Sequence, residues 1–179
     1  MSKVLDITVP ETKPATEWVR GRALQKMSPR TAHAYAQTKF VVALDAWAER
    51  SGLGYVGSEW DFRIAPPGEA ARPLVPDVAF LAFARLSQEE QDRTDFPRCA
   101  PNAAVEILSP GDLRADVEHK IGVYLAAGCE VVVEVDLRRR FVRAHDVHGE
   151  KTWHAGEWFE HPALPGFRLP VDSLFRPKR

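Results

Sequence analysis

Long apolar runs are missing from this chain. No stretch approaches the roughly 20 residues needed to cross a bilayer, and the amino terminus lacks the charged-then-apolar pattern of a secretory signal. No membrane partner is expected, and a cytoplasmic location is. Cysteine is scarce: the two residues, Cys99 and Cys129, have no zinc-site spacing, so each reads as a reduced, partly buried thiol. Net charge is close to zero, with 24 Lys and Arg against 25 Asp and Glu. That balance argues against indiscriminate nucleic-acid binding, which rests on clustered cations. Local clusters stand at Arg138-Arg139-Arg140 with Arg143, and at Arg176, Lys178 and Arg179. A solvated strand edge and a frayed tail explain them as well as a phosphate track does. Repeats, low-complexity segments and dividing linkers are also absent.

What is present fits one domain. A chain of 179 residues buries roughly two-thirds of its unfolded surface without disulfide or metal staples. Residues 1–15, with Pro10 and Pro14 and no periodicity, read as a loose lead-in, and 16–176 as the domain. Glu17 to Leu24 alternates on both sides of Gly21, the pattern of a tight hairpin. From Pro29, apolar residues at Ala32, Ala36, Phe40, Leu44 and Trp47 mark an amphipathic helix with a stop at Ser51-Gly52. Gly54 to Ile64 reads as one strand, or two with a bulge, and Leu74 to Leu81 as a strand carrying one acid, Asp77. Ser87 with Glu90 is the signature of a capping box.

The central stretch runs from Pro101 to Gly128. Its first half is an apolar strand with one carboxylate, Glu106. After Ser109-Pro110-Gly111, residues Val117, Ile121, Tyr124 and Leu125 have the spacing of a helix with one buried face. Asp116 and Lys120, four apart, project from the same side of that helix. Glu130 to Asp136 is a valine-rich strand, Arg140 to Asp146 its partner, and the tail beyond consists of short strands and loops. The order of elements predicts an α/β (α+β) domain, a central mixed sheet flanked by helices.

Two acids in apolar strands need a common explanation. An ionised carboxylate among Val105, Ile107 and Leu108 costs several kcal/mol unless a cation or donors compensate it. Asp77 and Glu106 could share a site across two strands, and magnesium is commonly held by one or two carboxylates plus waters and phosphate. Lys120 could then orient water or stabilise charge on phosphate. A structural ion pair explains the same residues equally well. Asp116 fits a structural role, pairing on its own helix or holding the turn after Pro110. Glu134 is a third strand carboxylate, and on spacing alone His33 is an exposed or satisfied histidine.

The order Glu17 to Gly21, Ser28-Pro29 with His33, Pro76-Asp77-Val78, Val105-Glu106-Ile107-Leu108-Ser109-Pro110, then Asp116, Lys120, Tyr124 and Ala127-Gly128, resembles the Uma-two family of endonucleases. That family is similar to the PD-(D/E)XK restriction-endonuclease superfamily. The likeness extends from about Glu17 to Leu174 and implies a restriction-endonuclease-like fold. It implies that Asp77 and Glu106 bind Mg2+ (or Mn2+) with the carbonyl of Ile107, and that Asp77, Glu106 and Lys120 are catalytic, with Glu17 and His33 as additional candidates. Leu108 stands where the superfamily carries its catalytic lysine, and Lys120 would supply that ammonium from the next helix. Glu134 stands where the family is usually apolar and reads as a peripheral strand position. The implied function is metal-dependent hydrolysis of DNA phosphodiester bonds, with room for a homodimer. The alternative is a catalytically silent nucleic-acid-binding or regulatory module on the same scaffold.

Overall fold

The computed structural model describes residues 6–177. Residues 6–15 have no regular structure but are not loose. The Ile7 N–H donates to the Ala71 carbonyl at 2.8 Å, and the Asp6 carboxylate takes both arms of the Arg98 guanidinium at 2.7 and 2.9 Å. The rest of the expected lead-in, 1–5, lies outside the described residues, as do Lys178 and Arg179 of the terminal cationic cluster.

Strands β1 (Thr16–Val19) and β2 (Arg22–Gln25) form the expected hairpin. Arg20 and Gly21 fill its turn at φ 50° and 77°, the two positive values that a type I′ turn requires. Helix α1 (Thr31–Ser51) buries Ala36, Phe40, Leu44 and Trp47 along one stripe. It ends at Gly52, whose left-handed φ of 65° turns its N–H back to the Ala48 carbonyl at 2.8 Å. The stretch 54–64 forms two strands, β3 (Gly54–Ser58) and β4 (Phe62–Ile64), in separate sheets.

The single strand expected over 74–81 is also divided, into β5 (Arg72–Leu74) and β6 (Val78–Ala82). Pro76 accounts for the break, since it brings no N–H to a ladder. Helix α2 (Gln88–Arg93) carries the capping box: the Ser87 N–H donates to Glu90 Oε2 at 3.1 Å, and the Glu90 N–H donates to Ser87 Oγ at 3.3 Å. Strand β7 (Ala103–Leu108), helix α3 (Arg114–Ala126) and strand β8 (Val131–Asp136) follow. Then come β9 (Phe141–Asp146) and β10 (Gly149–His154), which form a hairpin that the tail's mixed polarity had concealed. Short strands β11 (Trp158–Phe159) and β12 (Leu169–Pro170) and a 3-10 turn at Val171–Leu174 close the chain.

Six strands make the central sheet, in the order β10-β9-β8-β7-β6-β3, with β7 and β8 parallel and the other pairs antiparallel. Among the described residues three α-helices flank or cap it, and none is long and apolar enough to cross a membrane. One face packs Val78, Phe80, Val105 and Val133 against α1 and the carboxy-terminal segment. The other packs Ala79, Leu81, Ala104 and Val132 against Val117, Ile121 and Tyr124 of α3, together with Val19 of the hairpin. Strands covered on both faces read as nearly continuous apolar runs, and β7 and β8 do so except at Glu106 and Glu134.

Glu134 is not peripheral. It lies 1% exposed on an inner strand, directly across from Glu106. Arg114 Nη1 at 2.5 Å and His145 Nε2 at 3.0 Å satisfy it. Burial would raise its pKa, but these partners outweigh burial and hold it below the ordinary value. Asp116 is structural in a way spacing did not indicate. It takes Arg22 at 2.6 Å and Arg20 at 3.3 Å from the hairpin, while Asp112 holds the turn after Pro110 by accepting the Ser109 N–H at 2.7 Å. Asp116 therefore fastens the β1–β2 hairpin over α3. Both arginines are partly exposed, which limits the strength of the link. Asp116→Asn should destabilise by about 1 kcal/mol, a fall in Tm of roughly 2–4 °C for a chain of this size. A thermal double-mutant cycle with Arg22→Ala should return that energy as coupling, and strict additivity would show that the hairpin is held elsewhere.

Candidate functional site

Strands β6 and β7 run antiparallel with Val78 opposite Val105. Continuing that register by one residue sets Asp77 opposite Glu106, and directly opposed residues share a face of the sheet. Continuing it by two sets Pro76 opposite Ile107. Proline has no amide hydrogen, so the Ile107 carbonyl receives no ladder donor from that strand. The Ile107 N–H turns instead to Asp77 Oδ2, 2.7 Å away. One proline thus ends the ladder and places a carboxylate in the gap.

Helix α3 returns over this place. Its buried stripe runs Val117, Lys120, Ile121, Tyr124, so an ammonium stands where helical periodicity calls for an apolar side chain. Lys120 Nζ lies 2.7 Å from Glu106 Oε2 and 2.9 Å from Glu17 Oε1, and the Tyr124 hydroxyl donates to Glu106 Oε1 at 3.0 Å. Glu17 comes from the hairpin and is itself fixed by the Val75 N–H, which donates to its Oε1 at 2.8 Å. Glu17, His33, Asp77, Glu106, Ile107 and Lys120 all line one cavity of about 670 Å³. Every residue singled out in the sequence as a site candidate is therefore at this one place. His33 is buried, 7% exposed, with Nε2 3.3 Å from Asp77 Oδ2.

Sequence reasoning missed a second ammonium. Lys26 Nζ lies 2.9 Å from Asp77 Oδ1, 2.8 Å from the Val75 carbonyl and 2.7 Å from Glu59 Oε2. Gln37 Nε2 bridges Glu59 Oε1 and the Asp77 carbonyl, both at 2.9 Å. An ammonium has three protons. Lys26's three have acceptors, and around Lys120 three carboxylate oxygens, Glu106 Oε2 and both oxygens of Glu17, lie within 3.0 Å.

The electrostatics follow from these contacts. Burial would raise Asp77, but Lys26, His33 and the Ile107 N–H outweigh it and hold the carboxyl well below its ordinary range. Glu106 goes the other way. Burial pushes it up to about 7 against the pull of Lys120, with the negative charges of Glu17 and Asp77 adding to the rise. Burial would lower Lys120 and Lys26, but the surrounding acids outweigh it and hold both above the ordinary lysine value. Burial would likewise lower His33, and Asp77 holds it above the ordinary histidine value.

Among the described residues no three His, Cys, Asp or Glu side chains stand close enough together to make a ready-formed ion cage. Two hard carboxylate donors lining one cavity beside a carbonyl without a ladder partner nevertheless fit an ion that takes one or two protein carboxylates and completes its shell with water and phosphate.

No curated protein matches the chain. A crystal structure described as "a putative nuclease belonging to DUF820", from Anabaena variabilis, superposes with a TM-score of 0.81, covering 93% of this chain and 92% of that one at 22% identity, so the two share a fold. The Uma2 family, described as "Putative restriction endonuclease", matches residues 3–172. With that match spanning nearly the whole sequence, the chain belongs to the Uma2 family and carries its restriction-endonuclease-like fold.

Proposed function

We propose that the chain is a metal-dependent endonuclease that hydrolyses phosphodiester bonds of DNA. One observation carries this reading most: Asp77 and Glu106, from neighbouring parts of the chain beside paired β6 and β7, line one cavity, with the Lys120 ammonium 2.7 Å from Glu106. Asp77, Glu106 and the Ile107 carbonyl would hold Mg2+ (or Mn2+). A bound ion of this kind polarises a phosphoryl oxygen and lowers the pKa of its water. The remaining work falls to the protein's own groups. Tyr124 orients Glu106, and His33 and the Ile107 N–H orient Asp77. Glu17 holds Lys120 beside Glu106, where its ammonium would orient the attacking water or stabilise charge growing on the phosphate.

The rival reading is a nucleic-acid-binding or regulatory module that does not cut. It is favoured by the ammonium already paired with each acid. Calorimetric titration with Mn2+ separates the two, together with an assay of DNA cleavage. The nuclease reading requires micromolar-to-millimolar binding that Asp77→Asn removes along with cleavage. DNA binding without either would establish the rival.

Lys120→Met should retain Mn2+ binding, because the acids are intact, and slow cleavage by ~10²-fold or more. Lys120 is 8% exposed between two acids, so this variant should also lose several kcal/mol of metal-free stability, and added Mn2+ should restore more Tm to it than to wild type. Wild-type cleavage rates in Lys120→Met would remove the lysine from the mechanism.

Glu106→Gln should abolish metal binding yet stabilise the metal-free protein at high pH. The folded pKa of Glu106 is raised from the model-peptide range to about 7. Its favourable contribution is therefore complete below the unfolded value of about 4.3 and is lost as pH rises through about 7. In EDTA, the Tm of Glu106→Gln relative to wild type should climb by several degrees between pH 5 and pH 8. A constant difference across that window would contradict the assignment.

A further inference from the structure

Glu59 stands out at the mouth of the same cavity. It joins β3 to β4 with a left-handed φ of 51°, a conformation that residues with a Cβ rarely adopt. Its side chain is 42% exposed, yet both carboxylate oxygens are held from inside, Oε2 by Lys26 Nζ at 2.7 Å and Oε1 by Gln37 Nε2 at 2.9 Å. The two donors are fixed independently of Glu59. Lys26, 12% exposed, is anchored on Asp77 Oδ1 and the Val75 carbonyl, and Gln37 is anchored on the Asp77 carbonyl. Each donor thus keeps one N–H aimed at a two-oxygen anion, and the anion it meets is attached to a strained, exposed residue.

We propose that Lys26 and Gln37 form a phosphodiester subsite, and that Glu59 occupies it in the free protein as an internal stand-in for the substrate's phosphate. The inference rests on the nucleic-acid reading above and adds to it where the backbone beside the scissile bond would sit. A phosphodiester presents two negatively charged non-bridging oxygens, the same pattern of acceptors that the Glu59 carboxylate presents. An ion pair with one exposed member holds weakly. A neighbouring phosphate of a bound strand, present at high local concentration, therefore displaces it readily. The subsite shares Lys26 with Asp77, so filling it keeps the ammonium charge next to the candidate metal position.

The test uses the full chain in EDTA with dimethyl phosphate as the probe, affinity being read by calorimetry and location by the Gln37 side-chain amide resonance. Removing the internal anion should strengthen binding by about tenfold or more in Glu59→Ala, since a like charge facing the ligand is lost. The isosteric Glu59→Gln should move in the same direction, and Gln37→Ala added to Glu59→Ala should return affinity towards the wild-type value. Equal or weaker binding in both Glu59 variants overturns the proposal. So does loss of Mn2+ binding in Glu59→Gln, which would make Glu59 a metal ligand. Failure here is distinguishable from failure of the nuclease reading. Tighter probe binding in a protein that never cleaves DNA keeps the subsite and discards the nuclease. Cleavage that depends on Asp77 and Glu106, with probe affinity indifferent to Glu59, does the reverse.

Discussion

A charge cannot be left bare inside a sheet, and this molecule is arranged around that constraint. Glu106 lies on a strand covered on both faces, and Asp77 beside it at the end of a ladder. Each needs a cation that its own strand cannot supply. Helix α3 answers with Lys120 and the β1–β2 segment with Lys26, and each lysine brings a further acid, Glu17 or Glu59, into the cavity. The packing of hairpin, helix and sheet is therefore inseparable from the pairing of these charges. The hairpin's own attachment, through Asp116 to Arg20 and Arg22, is electrostatic as well.

The balance differs between the two buried glutamates of β7 and β8. Glu134 is held below its ordinary range by Arg114 and His145, against burial. Glu106, one strand away and directly across from Glu134, is held above it. The two glutamates sit on the same face of adjacent parallel strands, and their surroundings drive them in opposite directions.

Much of this was legible in the sequence, for physical reasons that can be named. An acid in an apolar strand is an anomaly, so Asp77 and Glu106 were visible, and Lys120 was reached from its place on the helix after Glu106 together with the family resemblance. Lys26, Gln37 and Glu59 were not. Lys26 and Glu59 lie in connections outside the strands and Gln37 on a partly exposed side of α1, where a polar residue is ordinary, and only the folded chain brings positions 26, 37, 59 and 77 together. Glu134 was misplaced because alternation reveals faces of a strand and not its rank within a sheet. The break between β5 and β6 was missed because apolar residues on both sides of Pro76 outweighed the proline.

That proline has a consequence beyond ending a strand. A residue with an amide hydrogen at position 76 would let β6 and β7 zip together one step further and draw the Ile107 carbonyl into the ladder. The opening beside Asp77 exists because a bond of the sheet is withheld. Position 76 therefore shapes the cavity beside Asp77 without a functional group of its own. Its contribution is subtractive, a vacancy in the hydrogen-bond pattern kept open by a ring that cannot close it.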